Sequence, residues 1–197
     1  RRQMTTVASP NVHNLAVAGN FDDCQDLVKQ LFADEAFRDR HHLSAVNSIN
    51  WARVMAQVVY YVTSVARLTS GRSPVSFSVP TGNFGNVFAG WAAGRMGVPI
   101  DRLVIGSNRN DVLPRWLATG RLEATEVHPT ISPSMDIQVS SNHERLLFEL
   151  LGRDGARTAE LMLALRQEGS VEVPEDVMGP VRERWAAAAF DDDATRA

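Results

Sequence analysis

The chain has 197 residues, of which 44% are hydrophobic and 22% charged, and its formal net charge is −3 at pH 7. This length allows a buried core, and the weakly acidic balance excludes an obvious nucleic-acid or basic membrane-binding surface. No run of sequence approaches the roughly 20 apolar residues that span a bilayer. The single cysteine, Cys24, excludes an internal disulfide and fits a cytoplasmic protein.

The first predicted elements are a short β-like segment at 12–18 and an amphipathic helix over 22–32. Lys29 is the only lysine in the chain, and it lies off the apolar face of this helix, three residues after Asp26. We therefore expect Lys29 to be an exposed helix residue. Any mechanism that needs a lysine must use this residue or obtain its lysine from another segment.

A long helix is predicted from Ser48 or Asn50 to about residue 70, because apolar residues recur there at helical spacing. The polar cluster at its start, NSINWAR, either caps the helix or directs donors into a cleft, and both interpretations stay open. The candidate cleft residues are Asn47, Ser48, Asn50 and Arg53.

Two nearly all-apolar strands follow at 75–79 and 103–108, with a predicted helix at 86–96 between them. A strand–helix–strand order with apolar strands is typical of parallel strands that are buried on both faces. The predicted fold class is therefore α/β: an open twisted parallel sheet with flanking helices, plus a C-terminal helical appendage.

The remaining sequence predicts a polar loop followed by helices. Residues 130–142 are irregular and polar, as expected of a loop near a site, and Asn142 is expected to cap the next helix. Later acidic helical segments alternate with proline and glycine breaks. We therefore divide the chain into an α/β region at 1–152 and a helical appendage at 153–197.

The turn between the first strand and its helix reads PTGNFGN. Gly82 and Gly85 are expected to adopt positive φ and to let an anion approach the backbone closely. The N–H groups of the first helical turn point at the same place, with the positive end of the helix dipole behind them. Thr81, Asn83 and Asn86 can add side-chain donors. Since the turn contains no lysine or arginine, these features predict neutral capture of an anion such as a phosphate ester.

Other chemistries lack their sequence patterns. The turn has neither the Lys-Ser/Thr of a P-loop nor the GxGxxG of a dinucleotide site, and a glycine turn without a ligand fits it equally well. The five histidines show no metal-ligand spacing, so no metal site is expected. Ser134 lacks the GxSxG context of a hydrolase nucleophile. No residue of the chain is assigned a catalytic role.

Five blocks, taken in order, resemble threonine synthase, a pyridoxal-phosphate enzyme with the tryptophan-synthase-β-like fold. They cover about three quarters of the chain and read NVHNLAVAGNFDDCQDLVKQLF, SAVNSINWARVMAQVVYYV, PTGNFGNVFAGWAAGRMG, LVIGSNRNDVLPRWLATG and TISPSMDIQVSSNHERLLFELLG. The resemblance implies that the 1–152 region binds the phosphate of pyridoxal phosphate. It assigns this role to Gly82, Asn83, Phe84, Gly85 and Asn86, and it implies that Asn47, Ser48, Asn50 and Arg53 lie near the substrate.

Members of this family convert O-phosphohomoserine and water to threonine and phosphate, and one of their lysines forms a Schiff base with the cofactor. That lysine lies in a Phe-Lys-Asp type motif well before the glycine loop, and this chain has no such motif. We therefore expect an internal or C-terminal portion of the enzyme, inactive by itself, whose partner is the missing N-terminal segment. A non-catalytic phosphate- or cofactor-binding module and another amino-acid lyase of the same fold are the alternatives.

Overall fold

The computed structural model describes residues 5–19, 21–45 and 48–197. These residues fall into two compact units, one within residues 1–43 and the other within residues 44–197. None of the helices in these described ranges combines the length and the apolar character needed to cross a bilayer.

The described residues of the first unit include the helices α1 (Phe21–Ala33) and α2 (Glu35–His41). Lys29 lies on α1, and its Nζ is 3.1 Å from Asp26 Oδ1 with 41% of its side chain exposed, as the sequence predicted. The predicted strand at 12–18 is wrong, because these residues have no strand structure. A strand needs a neighbour to satisfy its backbone groups, and the described part of this unit offers none.

The second unit contains the remaining helices and all the strands of the described residues. In chain order they are α3 (Trp51–Thr69), β1 (Val75–Pro80), α4 (Gly85–Arg95), β2 (Ile100–Ser107), α5 (Val112–Thr119), β3 (Arg121–Glu123), a 3₁₀ turn (Pro133–Met135), α6 (His143–Leu150), α7 (Gly155–Glu168), β4 (Ser170–Glu172), α8 (Glu175–Arg184), β5 (Trp185–Ala189) and α9 (Asp192–Arg196).

The main sheet has the strand order β1-β2-β5, and all of its pairings are parallel. This confirms the α/β class and the parallel sheet. The prediction that both strands are buried on both faces is wrong for β1, where Ser76, Ser78 and Pro80 are exposed. Among the strands of the described residues, β1 lies at the edge with β2 as its neighbour, and β2 occupies the centre.

The segment after residue 152 contains α7, α8 and α9, which confirms its predicted helices. It also contributes two strands that the sequence did not predict. β4 pairs antiparallel with β3, and β5 pairs with β2 from Leu103 to Ser107. The last part of the chain therefore contributes a strand to the main sheet, and the domain boundary at 152/153 stays a prediction.

Helix α4 packs closely on α3 and on the sheet at Gly90. A Cβ built on Gly90 would lie 2.7 Å from two ring carbons of Tyr61 and 3.0 Å from a methyl carbon of Leu103. The Tyr61 ring cannot move freely, since it is 2% exposed and its hydroxyl oxygen lies 2.7 Å from Asn86 Oδ1. A Cβ built on Gly94, one turn further along α4, would have no neighbouring atom within 4 Å.

The Gly90→Ala variant is expected to lower the free energy of unfolding by about 1–3 kcal/mol, because the added methyl overpacks the α3–α4 contact. The Gly94→Ala variant is the matched control and should instead raise it by roughly 0.5–1 kcal/mol through helix propensity. Urea denaturation of both variants measures the difference. Equal stabilities for the two variants would contradict the close packing at Gly90.

Candidate functional site

The candidate site lies where the parallel strands end. β1 ends at Pro80 and continues through residues 81–84 into α4, and β2 ends at Ser107. Since β1 and β2 are parallel, their carboxyl ends lie at the same edge of the sheet. In open α/β sheets this edge is where ligands bind.

A cavity of about 130 Å³ opens at the start of α4. Its lining brings together all the predicted phosphate-loop residues and the start of α3. The lining residues are Ser48, Arg53, Val54, Gln57, Pro80, Thr81, Gly82, Asn83, Phe84, Gly85 and Asn86. The structure thus places two of the predicted substrate residues, Ser48 and Arg53, beside the glycine loop.

The other two predicted substrate residues are not part of this lining. Asn47 lies outside the described residues. Asn50 is the N-cap of α3: its Oδ1 accepts a hydrogen bond from the Ala52 N–H at 2.9 Å, and its Nδ2 donates to the Ala45 carbonyl. The structure therefore shows Asn50 capping the helix, and its contact with substrate stays a prediction.

The expected positive φ angles at Gly82 and Gly85 are wrong, because the left-handed residue of the turn is Phe84, with φ 62°. Burial offsets this strain: the Phe84 ring is 1% exposed and stacks on Trp185 with 5.5 Å between centroids. The glycines provide space instead. A Cβ on Gly82 would lie 3.1 Å from Met135 Cα, and one on Gly85 would lie 3.4 Å from Asn142 Nδ2.

The loop carbonyls of Gly82 and Asn83 are directed toward residues 140–142. The Ser140 hydroxyl donates to the Gly82 carbonyl at 2.7 Å, and the Asn142 side chain donates to the Asn83 carbonyl at 2.9 Å. In a trans peptide the next N–H points the opposite way, so the N–H groups of Asn83 and Phe84 point away from that segment. The N-cap residue of α4, Phe84, makes no side-chain capping bond, so it does not satisfy the first N–H groups of this helix.

Of the three side-chain donors that the sequence suggested in this turn, the Thr81 hydroxyl is already used within the loop. The Thr81 hydroxyl is buried and donates to the Val79 carbonyl at 2.6 Å. The Asn86 side-chain oxygen lies 2.7 Å from the Tyr61 hydroxyl, and the Asn83 side-chain oxygen accepts from Ser141 at 3.1 Å. The two asparagine contacts occupy oxygen acceptors, whereas an anion needs N–H donors, which the backbone at the start of α4 provides.

Helix α3 supplies a charged group and a further amide group to the cavity. Arg53 is the cation among the lining residues and remains solvent-exposed. Gln57, one helical turn later on the same face, was missed by the sequence analysis. Its Oε1 is buried and has no hydrogen-bond partner among the described residues. The i, i+4 spacing from Arg53 was the only local signal that could have identified it.

His143 lies behind the loop, in contact with Phe84. Its ring makes edge contacts with the rings of Phe84 and Trp116, at centroid distances of 5.2 and 4.2 Å. His143 is 3% exposed, and burial lowers its pKa to about 3. The side chain is therefore a neutral packing residue that supports the loop at physiological pH.

The polar segment at 130–142 packs against the glycine loop at Gly82. It also forms a network of side-chain hydrogen bonds with the residues that follow β2. Asp136 accepts hydrogen bonds from the side chains of Asn108 and Thr130, both at 2.7 Å, and from Asn110 at 3.1 Å. These contacts hold the segment in place beside the cavity. Its position agrees with the expected loop near a site.

No family model matches the chain. A curated relative, threonine synthase from Pseudomonas aeruginosa, is 49% identical over 195 residues, which are 99% of this chain and 42% of that protein. Threonine synthase from Schizosaccharomyces pombe is 44% identical over 98% of this chain and 42% of its own length.

Solved structures show the same similarity. The pyridoxal-phosphate-bound threonine synthase of Brucella melitensis superposes with a TM-score of 0.87 at 52% identity, covering 98% of this chain and 42% of that one. The yeast threonine synthase structure gives a TM-score of 0.80 at 39% identity, over 98% of this chain and 40% of that one. The chain thus spans about two fifths of the length of the relatives that it matches.

Proposed function

The chain belongs to the threonine synthase family, and on this basis we propose that it is the segment of such an enzyme that holds the phosphate of pyridoxal phosphate. The observation that carries the proposal is the cavity at the start of α4, which the residues of the GNFGN loop line. The parent protein would be a lyase that converts O-phosphohomoserine and water to threonine and phosphate.

The cavity fits a phosphate ester. The uncapped first turn of α4 offers N–H donors backed by the positive end of the helix dipole. Gly85 leaves room for the anion, because a Cβ at this position would occupy the space beside Asn142 and Gln57. The side-chain oxygen of Gln57, which is buried and has no partner among the described residues, fits a polar ligand, since rotating the amide by about 180° lets this position either accept or donate.

Each part of the cavity has a proposed task. The backbone N–H groups at Gly85 and Asn86 bind the phosphate, and the Arg53 guanidinium adds a positive charge on the α3 side. Phe84 anchors the loop in the core through its stack on Trp185. Together these contacts orient the cofactor by its phosphate. When bound, pyridoxal phosphate supplies an electron sink that makes the substrate's Cα proton acidic.

The covalent attachment of the cofactor requires a lysine that we place outside this chain. Lys29 is the only lysine in the sequence, and it forms an exposed ion pair with Asp26 on α1. Such an environment does not fit a lysine that holds a cofactor in a closed site. We therefore propose that the isolated chain is inactive. We also propose a cytoplasmic location, which the single cysteine supports.

The isolated chain, incubated with pyridoxal phosphate and O-phosphohomoserine, is expected to form no threonine, because it lacks the attachment lysine. Borohydride reduction should trap no adduct at Lys29, and peptide mass spectrometry measures this directly. The full-length protein that would contain this chain is the control, and it should form threonine and a trapped adduct. Threonine formation by the isolated chain would refute the proposed division of the site.

A further inference from the structure

Asn142 connects the two walls of the cavity. Its side chain is fully buried, at 0% exposure, and its Nδ2 donates to the Asn83 carbonyl at 2.9 Å and to the Ser48 carbonyl at 2.7 Å. Its backbone N–H donates to the same Asn83 carbonyl at 3.1 Å. One side chain therefore holds the glycine loop and the segment that precedes α3.

Arg145 fixes the orientation of the Asn142 amide. One guanidinium nitrogen donates to Asn142 Oδ1, and the other donates to the Ile49 carbonyl at 2.6 Å. The guanidinium also lies over the Trp51 ring, with Cζ 5.7 Å from the centroid. Because Arg145 can only donate, it requires the oxygen of the amide, which directs the NH₂ group to the two carbonyls.

Only a carboxamide meets these requirements. The two carbonyls need donors, and the guanidinium needs an acceptor on the same short side chain. An aspartate would pair with Arg145 but would face both carbonyls without a proton to donate. A leucine of similar size would leave the carbonyls of Ser48 and Asn83 without this donor.

We propose that Asn142 is a positioning residue for the phosphate loop, and that it sets the spacing between residues 82–86 and the Ser48–Gln57 wall of the cavity. This rests on the proposed function, since it assigns the loop to the cofactor phosphate. Asn142 itself is not among the residues that line the cavity, so it acts through the loop backbone.

The test compares the binding of pyridoxal phosphate with that of pyridoxal, which lacks the phosphate, by absorbance titration of the full-length protein. Asn142→Asp and Asn142→Leu are expected to weaken pyridoxal phosphate binding about 10–100-fold and to leave pyridoxal binding unchanged. Arg145→Met removes the donor to Asn142 Oδ1 but keeps the Asn142 amide, so it should weaken pyridoxal phosphate binding by a smaller factor. This variant provides the test if both Asn142 variants fail to fold.

Thr158→Val is the matched control. Thr158 lies on α7 and is also a buried, hydrogen-bonded side chain, 5% exposed. Its hydroxyl donates to the carbonyl of Asp154, the N-cap of that helix, and Thr158 does not line the cavity. This variant should preserve the affinity for both ligands.

The following outcomes would contradict the positioning role of Asn142. Unchanged pyridoxal phosphate affinity in the variants, or an equal loss for both ligands, would show that Asn142 is merely structural. Unmodified protein that binds pyridoxal as tightly as pyridoxal phosphate would refute the proposed phosphate loop, and the positioning role with it.

Discussion

The Gly85→Asp variant of the full-length protein is expected to bind pyridoxal phosphate about a hundredfold more weakly than the unmodified protein. The substitution places a carboxylate in the cavity at the first residue of α4, where the proposed phosphate meets the helix N–H groups. The negative charges of the new carboxylate and the phosphate repel each other. The new side chain also fills the space beside Asn142. Absorbance titration with pyridoxal phosphate measures the change in affinity.

Two controls separate charge from volume in this experiment. Gly85→Ala adds only a Cβ, 3.4 Å from Asn142 Nδ2, and should reduce affinity much less than the aspartate does. Gly94→Asp adds the same charge to α4 at a position with open space and away from the cavity, and should leave the affinity unchanged. If Gly85→Asp also preserves the affinity, the turn is structural and does not hold the phosphate.

The second large effect concerns His143 and the pH dependence of stability. Burial lowers the pKa of folded His143 from 6.5 to about 3, so the unfolded chain binds a proton that the folded chain excludes. The contribution of His143 to stability is therefore present above pH 6.5 and is lost as the pH falls toward 3. The free energy of unfolding should fall by up to about 1.4 kcal/mol per pH unit over this interval from this residue alone.

His143→Phe removes the titrating group and keeps an aromatic ring against Phe84 and Trp116. Its unfolding free energy should depend less steeply on pH below 6.5 than that of the unmodified chain. Chemical denaturation at several pH values between 4 and 7 measures the two slopes. His13→Phe, the same change at an exposed histidine, should leave the slope as it was. Parallel slopes for the unmodified chain and His143→Phe would contradict a neutral, buried His143.

The position of the glycine turn that lines the cavity could be predicted from the sequence because its signals are local. An apolar strand, a glycine turn and a helix follow one another within about twenty residues, and β1 and α4 form where they were expected. Asn50 was one of two candidate caps at the start of α3 for the same reason, and the structure shows that it is the cap. The parallel sheet then followed from the order of the elements.

Features that depend on distant parts of the chain could not be predicted. Residues 185–189, WAAAA, have high helix propensity, yet they form β5 because they pair with β2 in the centre of the sheet. The positive φ of Phe84 depends on the stacking of its ring on Trp185, a residue about a hundred positions later in the chain.

The contacts of Asn142 show the same limit within the site. Asn142 stands at the N-cap position of α6, as expected, but its side chain makes no capping bond there. It bonds instead to Asn83 and Ser48, which lie 59 and 94 residues earlier. A local pattern identifies a capping residue type, whereas the partner of a buried amide is decided by tertiary packing.

The central claim is that the first turn of α4 binds the phosphate of pyridoxal phosphate. NMR titration of the full-length protein, labelled with ¹⁵N at its glycines, tests it most directly. Gly85 should show the largest shift of its amide resonance among the assigned glycines with pyridoxal phosphate and a similar shift with inorganic phosphate, while Gly94 on the same helix should remain unchanged. A Gly85 amide that does not respond to either ligand, with the shifts found elsewhere, would contradict the account.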